Sequence, residues 1–145
     1  MSKRWTLNFD GACEPRNPGG WLAWAWILDA NGVEFTGSSV RPPTPSNTNN
    51  QAEYFALGFG LKKVRELIEG GAHCDELLIN GDSKLVIEQL LGRWACNKLR
   101  LLELRGRCRE LIGDLRWHAE WIPRAQNERA DALGRAALAE QGLGV

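Results

Sequence analysis

The sequence predicts an α/β fold: a five-stranded mixed sheet with helices on both faces, in the order β-β-β-α-β-α(α)-β-α. Three observations predict it. Residues 4–40 hold three strand-like segments and no helical period. A stripe of helical spacing begins near residue 50. From there short apolar runs alternate with helical patterns, as crossover connections between parallel strands require.

The elements follow in chain order. "RWTLNFDG" (4–11) alternates, with Trp5, Leu7 and Phe9 on one face and Thr6, Asn8 and Asp10 on the other. "ACEPRNPGG" (12–20) is rich in Pro and Gly and predicts a loop. "WLAWAWILD" is continuously apolar and suits a strand covered on both faces. Asn31-Gly32 is a hairpin signal, and "VEFTGSSV" is the returning strand. "RPPTPSNT" is a rigid connection. Leu57, Leu61, Val64 and Ile68 then form one stripe of a helix over residues 50–69. "DELLING" is the fourth strand, parallel to its neighbour because a helix carries the chain back to it. Helices follow from Ser83 to about Leu91 and from Leu99 to about Ile112. "LRWHAEWI" is the last strand, and "PRAQNERADALGRAALAEQ" predicts a final helix with Ala130, Leu133, Ala137 and Leu138 inward.

The bulk properties bound the class. With 145 residues, 43% apolar and 25% charged, the chain is long enough for one domain, residues 1–145, with its own core. No apolar run reaches membrane-spanning length. The N-terminus carries no apolar segment of the secretory type, so a cytoplasmic monomer is expected. Cys13, Cys74, Cys96 and Cys108 match no zinc spacing with His73 and His118, and reduced thiols are expected. The formal net charge is zero, but residues 84–110 hold seven basic residues (Lys84, Arg93, Lys98, Arg100, Arg105, Arg107, Arg109) against three acids. This is either a solvated helix face or a surface that follows a phosphate backbone.

Four acids stand in telling places. Asp10 lies within or at the end of the first strand and Asp82 at the end of the fourth; Glu53 and Asp131 lie in the early turns of the first and last helices. Each alone has a plain reading: a turn, a helix-dipole partner, a cap, a surface acid. For Asp82 the cap is dispensable, because Ser83 beside it can serve. Taken together, strand ends in an open α/β sheet converge on one crevice, and the two helices reach toward it. Carboxylates brought together repel one another, and a divalent cation offsets that cost. Oxygen ligands without Cys or His favour magnesium or manganese over zinc.

"FDGACEPRNPGG" (9–20), "TNNQAE" (48–53), "NGDSKLV" (80–86) and "NERADALGRAA" (127–137) lie in an order that resembles the type 1 ribonuclease H family, over nearly the whole chain. The resemblance implies the ribonuclease H-like fold and hydrolysis of the RNA strand of an RNA–DNA hybrid, leaving 5′-phosphate and 3′-hydroxyl ends. It implies two Mg2+ ions about 4 Å apart, with Mn2+ as a possible substitute. Asp10 would bridge both ions. Asp131 would join it on the ion that activates water, and Glu53 and Asp82 on the ion beside the leaving oxygen. Asn49 and Asn50 resemble residues that reach RNA 2′-hydroxyls, and Thr48 part of a pocket for a DNA phosphate. The turn around Gly11, Ala12 and Cys13, with Asn17, would lie along the RNA backbone. "NTNN" could also serve only as a helix cap.

The chain departs from the family pattern in three ways. The loop "WIPRAQNERAD" has no histidine; His118 lies earlier, in a strand, and reads as structural. Arg124 is the candidate to hold a phosphate in its place. The basic protrusion of some members is missing, leaving Asn97 or Lys98 to face the DNA strand, and no separate hybrid-binding domain is seen. These departures predict weak substrate affinity and strong salt sensitivity. Among seven tryptophans, Trp24 and Trp26 read as core and Trp94 as a contact for DNA sugars. Two rival readings are a related metal-dependent nuclease, such as a junction resolvase or integrase core, and a noncatalytic nucleic-acid-binding module of the same fold.

Overall fold

The structure is a computed structural model and describes residues 3–142. Strands β1 (Arg4–Glu14), β2 (Trp21–Ala30) and β3 (Val33–Arg41) form an antiparallel meander. Helix α1 (Asn49–Glu69) leads to β4 (Glu76–Gly81), then α2 (Lys84–Leu90), α3 (Leu99–Ile112), β5 (Trp117–Trp121) and α4 (Glu128–Ala139). The sheet order is β3-β2-β1-β4-β5, with β1, β4 and β5 parallel. The mixed five-stranded sheet and its parallel half are as the sequence predicts.

The hairpin turn uses left-handed backbone at Asn31 (φ 57°) and Gly32 (φ 84°), the conformation that Asn-Gly tolerates best. Trp5, Leu7 and Phe9 are fully buried beneath α1, together with Leu57, Leu61 and Val64. Trp24 is buried as well, stacked on Phe59 at 5.6 Å between ring centroids and tilted against Phe55 at 5.3 Å, so it serves the core. Helix α4 covers the opposite face, where Asn127 meets Asn8. Helices therefore lie on both faces.

Two segments differ from expectation. Residues 12–14 continue β1 and do not open a loop, because they pair with β2 (Ala12 with Ala23, Cys13 with Leu22, Glu14 with Trp21) and Cys13 is buried there. The "turn" at residues 11–13 is thus a strand. The final helix is also not continuous. Arg124–Gln126 form a 3-10 turn after Pro123, and Asn127 breaks the path with φ −120° and ψ 20° before α4 begins. That break frees the Asn127 side chain to reach the sheet, where its Nδ2 donates to the Phe9 carbonyl at 2.9 Å. Leu133 is half-buried, while Ala130, Ala137 and Leu138 are buried as expected.

The thiols are unpaired: Cys13 and Cys108 are buried, Cys74 and Cys96 half-buried. No helix among the described residues is long and apolar enough to cross a membrane.

Candidate active site

The four acids are delivered by four elements. Asp10 projects from the central strand β1, opposite Ala25 of β2. Asp82 follows the last residue of β4. Ser83 caps α2, its Oγ accepting from the Val86 N–H at 3.3 Å, so the Asp82 carboxylate is free of capping duty. Thr48 caps α1 in the same way, accepting from the Gln51 N–H at 3.3 Å. Glu53 lies just over one turn further on, buried at 4% exposure.

One ligand atom from each of Asp10, Glu53 and Asp82 lies within 4.8 Å of the other two. Glu53 is fixed from the strand side, because the Gly11 N–H donates to its Oε1. Gly11 permits this approach: a Cβ there would stand 2.3 Å from the backbone of Ala52 and Glu53. Asp131, on α4, is not in that group of three. It faces Asp10 closely enough to hydrogen-bond to the protonated acid, and its Oδ2 accepts from Arg135 Nε at 2.8 Å.

The electrostatics are those of crowded acids. Burial first, then the charges of Asp82 and Asp131, push Asp10 up to about 8 from 3.8, with Arg124 pulling the other way. Burial and the neighbouring Asp10 and Asp82 hold Glu53 well above the usual carboxylate range, against the hydrogen bond from Gly11. A donor set of carboxylate oxygens alone fits a hard divalent cation. Such an ion would let all three carboxylates ionise together. Among the described residues no cluster with metal-ligand spacing includes a Cys or His.

Two residues around Asp82 escaped the sequence reading. Asn127, 2% exposed, donates to Asp82 Oδ2 at 3.3 Å as well as to Phe9. Its Oδ1 lies 3.5 Å from Asn8 Nδ2, and Asn8 Oδ1 in turn accepts from Asn80 Nδ2 at 3.3 Å. Trp121, 49% exposed, donates its indole N–H to the Asp82 carbonyl at 3.1 Å. The signal for Asn127 was its place within "NERAD", directly before a helix. Trp121 left none beyond its position at a strand end.

The expected substrate residues divide. Asn17 and Asn49 are paired: Asn17 Nδ2 donates to Asn49 Oδ1 at 2.9 Å, and the Asn49 N–H donates to Asn17 Oδ1 at 3.2 Å. Asn50 is half-buried in the first turn of α1. Ala12 lines the cavity beside Asp10. The Cys13 side chain points inward, its Sγ donating to the Arg16 carbonyl at 3.1 Å, so only its backbone is left to meet a substrate. Arg124 is exposed and near enough to act on Asp10. His118 is exposed on β5, its Nε2 3.6 Å from Glu120 Oε1. Of the seven cations in residues 84–110, Arg93 pairs with Glu88, and Arg105 and Arg109 donate to carbonyls of Gln89 and Leu90 at the end of α2. Those two complete a helix terminus. Lys84, Lys98, Arg100 and Arg107 are exposed.

The sheet order and the carboxylate-only crevice, beside the middle of β1 and the end of β4, define the class: a ribonuclease H-like α/β domain. Residues 8–137 match the reverse transcriptase-like family. The chain is 39% identical over 132 residues to ribonuclease HI of Halobacterium salinarum, covering 90% of this chain and 62% of that protein. The crystal structure of the RNase H1 from that archaeon superposes with a TM-score of 0.79 at 38% identity, covering 94% of this chain and 98% of that one. The LC11-RNase H1 structure in complex with an RNA/DNA hybrid has the same fold, with a TM-score of 0.83 at 23% identity, covering 96% of this chain and 99% of that one. The chain belongs to the reverse transcriptase-like family and, within it, to the type 1 ribonucleases H. It spans about three-fifths of the Halobacterium relative and about a third of mycobacterial relatives.

Proposed function

We propose that this chain is a metal-dependent endoribonuclease that hydrolyses the RNA strand of RNA–DNA hybrids, acting as a monomer with a single catalytic domain. The observation that carries the reading is the convergence of Asp10, Glu53 and Asp82 within 4.8 Å, beside Asp131. Proteins similar to this chain carry the name ribonuclease H, and one of the same fold holds a hybrid.

Asp10, Glu53, Asp82 and Asp131 would hold two Mg2+ ions, or Mn2+ in their place. Bound there, the ions supply a water deprotonated near neutral pH and positive charge for the leaving 3′ oxygen. The chain's own residues prepare the site. Gly11 and Asn127 fix the Glu53 and Asp82 carboxylates by hydrogen bonds, so little reorganisation is left for the reaction. Arg124 offers a guanidinium to a substrate phosphate beside Asp10, taking over part of the role of the missing loop histidine. Asn17, Asn49 and Asn50 present carboxamides at the start of α1, where a 2′-hydroxyl can both give and receive a hydrogen bond. The products are 5′-phosphate and 3′-hydroxyl ends.

The test is cleavage of an end-labelled RNA–DNA hybrid with Mg2+, Mn2+ or EDTA, beside single-stranded RNA, double-stranded RNA and double-stranded DNA. Cleavage of the hybrid's RNA strand, lost in EDTA, is expected. Preferential cleavage of duplex DNA would replace this reading with a resolvase-like one, and binding without cleavage would leave a noncatalytic module.

A further inference from the structure

The fourth acid adjoins Asp10 but not Glu53 and Asp82, and an arginine grips it. Asp131 and Arg135 are one turn apart on α4, acid before base, the order that lets the arginine lean back onto the carboxylate. Nε of Arg135 is 2.8 Å from Oδ2 of Asp131. Both line the cavity of about 390 Å3 that also borders Asp10 and Glu14. Asp131 is therefore next to Asp10 but outside the three-carboxylate group, with one oxygen committed to a guanidinium.

We propose that Arg135 is a positioning residue that holds one oxygen of the Asp131 carboxylate, beside Asp10, until a divalent cation takes its place. This rests on reading the cluster as a metal site. Arg135 and the cation compete for the same carboxylate, one by a charge-assisted hydrogen bond and the other by direct ligation. The pair is well exposed on the Arg135 side (61%) and less so at Asp131 (34%), so the hold is weak and readily reversed. Three ligands on the sheet and α1 are present before the ion arrives. The fourth is held lightly by Arg135, and an arriving ion takes over its carboxylate.

The test is calorimetric titration of Mn2+ into the whole chain, with no substrate present. Arg135→Gln removes the guanidinium's charge and its grip on Asp131. It is expected to tighten Mn2+ binding about two- to fivefold, the range of a modest exposed ion pair. The decisive comparison is the same substitution in an Asp131→Asn background. There the effect should vanish, because the ligand that Arg135 restrains is gone. An equal tightening in both backgrounds would reduce Arg135 to a nearby positive charge and overturn the proposal. Unchanged affinity in Arg135→Gln would overturn it too. So would loss of all Mn2+ binding in Asp131→Asn, since the other three carboxylates would then form no site without it. Melting temperatures in EDTA check that each variant folds. Loss of hybrid cleavage with these metal affinities intact would count against the proposed activity and not against the hold on Asp131.

Discussion

Asn127 and Asp82 are joined across 45 residues of chain by a hydrogen bond of 3.3 Å, and the same amide nitrogen also reaches the Phe9 carbonyl at 2.9 Å. One buried side chain thus ties the start of α4 to the middle of β1 and to the residue that follows β4. Asn127→Ala removes that tie. The stability cost is expected to be about 1–3 kcal/mol, from leaving a buried acceptor without its donor. Hybrid cleavage should fall about 10- to 100-fold, as when the partner of a metal ligand is lost. Thermal melting and steady-state kinetics measure the two; unchanged kcat would show that Asp82 needs no such support.

The crowded carboxylates make a prediction about pH. Unfolded, Asp10 ionises near 3.8, whereas in the folded chain without metal it keeps its proton up to about 8. Between those values the folded state binds more protons than the unfolded one, so stability falls as pH rises through the window. Glu53 acts in the same direction. Melting temperature in EDTA should therefore drop from about pH 4 to about pH 8. Asp10→Asn should flatten the slope and raise the melting temperature at the alkaline end while abolishing cleavage. Identical slopes for the two proteins would rule out the Asp10 charge as the cause.

Asp82→Asn keeps the shape of the side chain and removes its charge. Cleavage in Mg2+ should fall to background, with the melting temperature in EDTA unchanged or raised. An Asp82→Asn variant that cleaves like the parent would sink the assignment of this acid to the metal site.

Gly11→Ala tests how closely α1 approaches β1. The added methyl would lie 2.3 Å from backbone atoms, where no side-chain rotation gives relief. A loss of about 1–3 kcal/mol or more is expected. Activity should fall as well, because Glu53 is displaced with the helix. A stable, active Gly11→Ala protein would contradict so close an approach of α1 to β1.

Arg124→Ala should lower turnover a few-fold and leave the melting temperature unchanged, since the residue is exposed. A collapse of kcat to background would instead give Arg124 an indispensable role in the reaction.

Much of the architecture is legible in the sequence because apolar patterning carries it. The alternation in residues 4–11, the Asn-Gly hairpin and the Leu57–Ile68 stripe each name their element. Asp82 is legible for a sharper reason: Ser83 stands beside it, and only one of them need cap α2. Composition misleads where backbone pairing overrides it, as at Ala12–Glu14, whose Pro- and Gly-rich surroundings conceal a strand paired to β2. Charge counting misleads at Arg105 and Arg109. It registers their sign but not the carbonyls at the end of α2 that they satisfy. Asn127 is hidden most deeply. Its part depends on two carbonyl and carboxylate partners more than 40 positions away, which no local pattern encodes.

The place of β1 in the sheet has a consequence for how the molecule opens. As the central strand, β1 is paired to β2 on one edge and, as far as Phe9, to β4 on the other. Its amide protons should exchange with solvent only in the rare events that unfold the whole domain, while those of α4, packed on one face, should exchange through smaller local openings. Asp10 then follows directly on the slowest-exchanging unit of the protein, and Asp131 belongs to a faster one. The crevice is accordingly built from parts of unequal permanence, with a frame that melts only with the fold and an adjustable jaw that can yield while the fold persists.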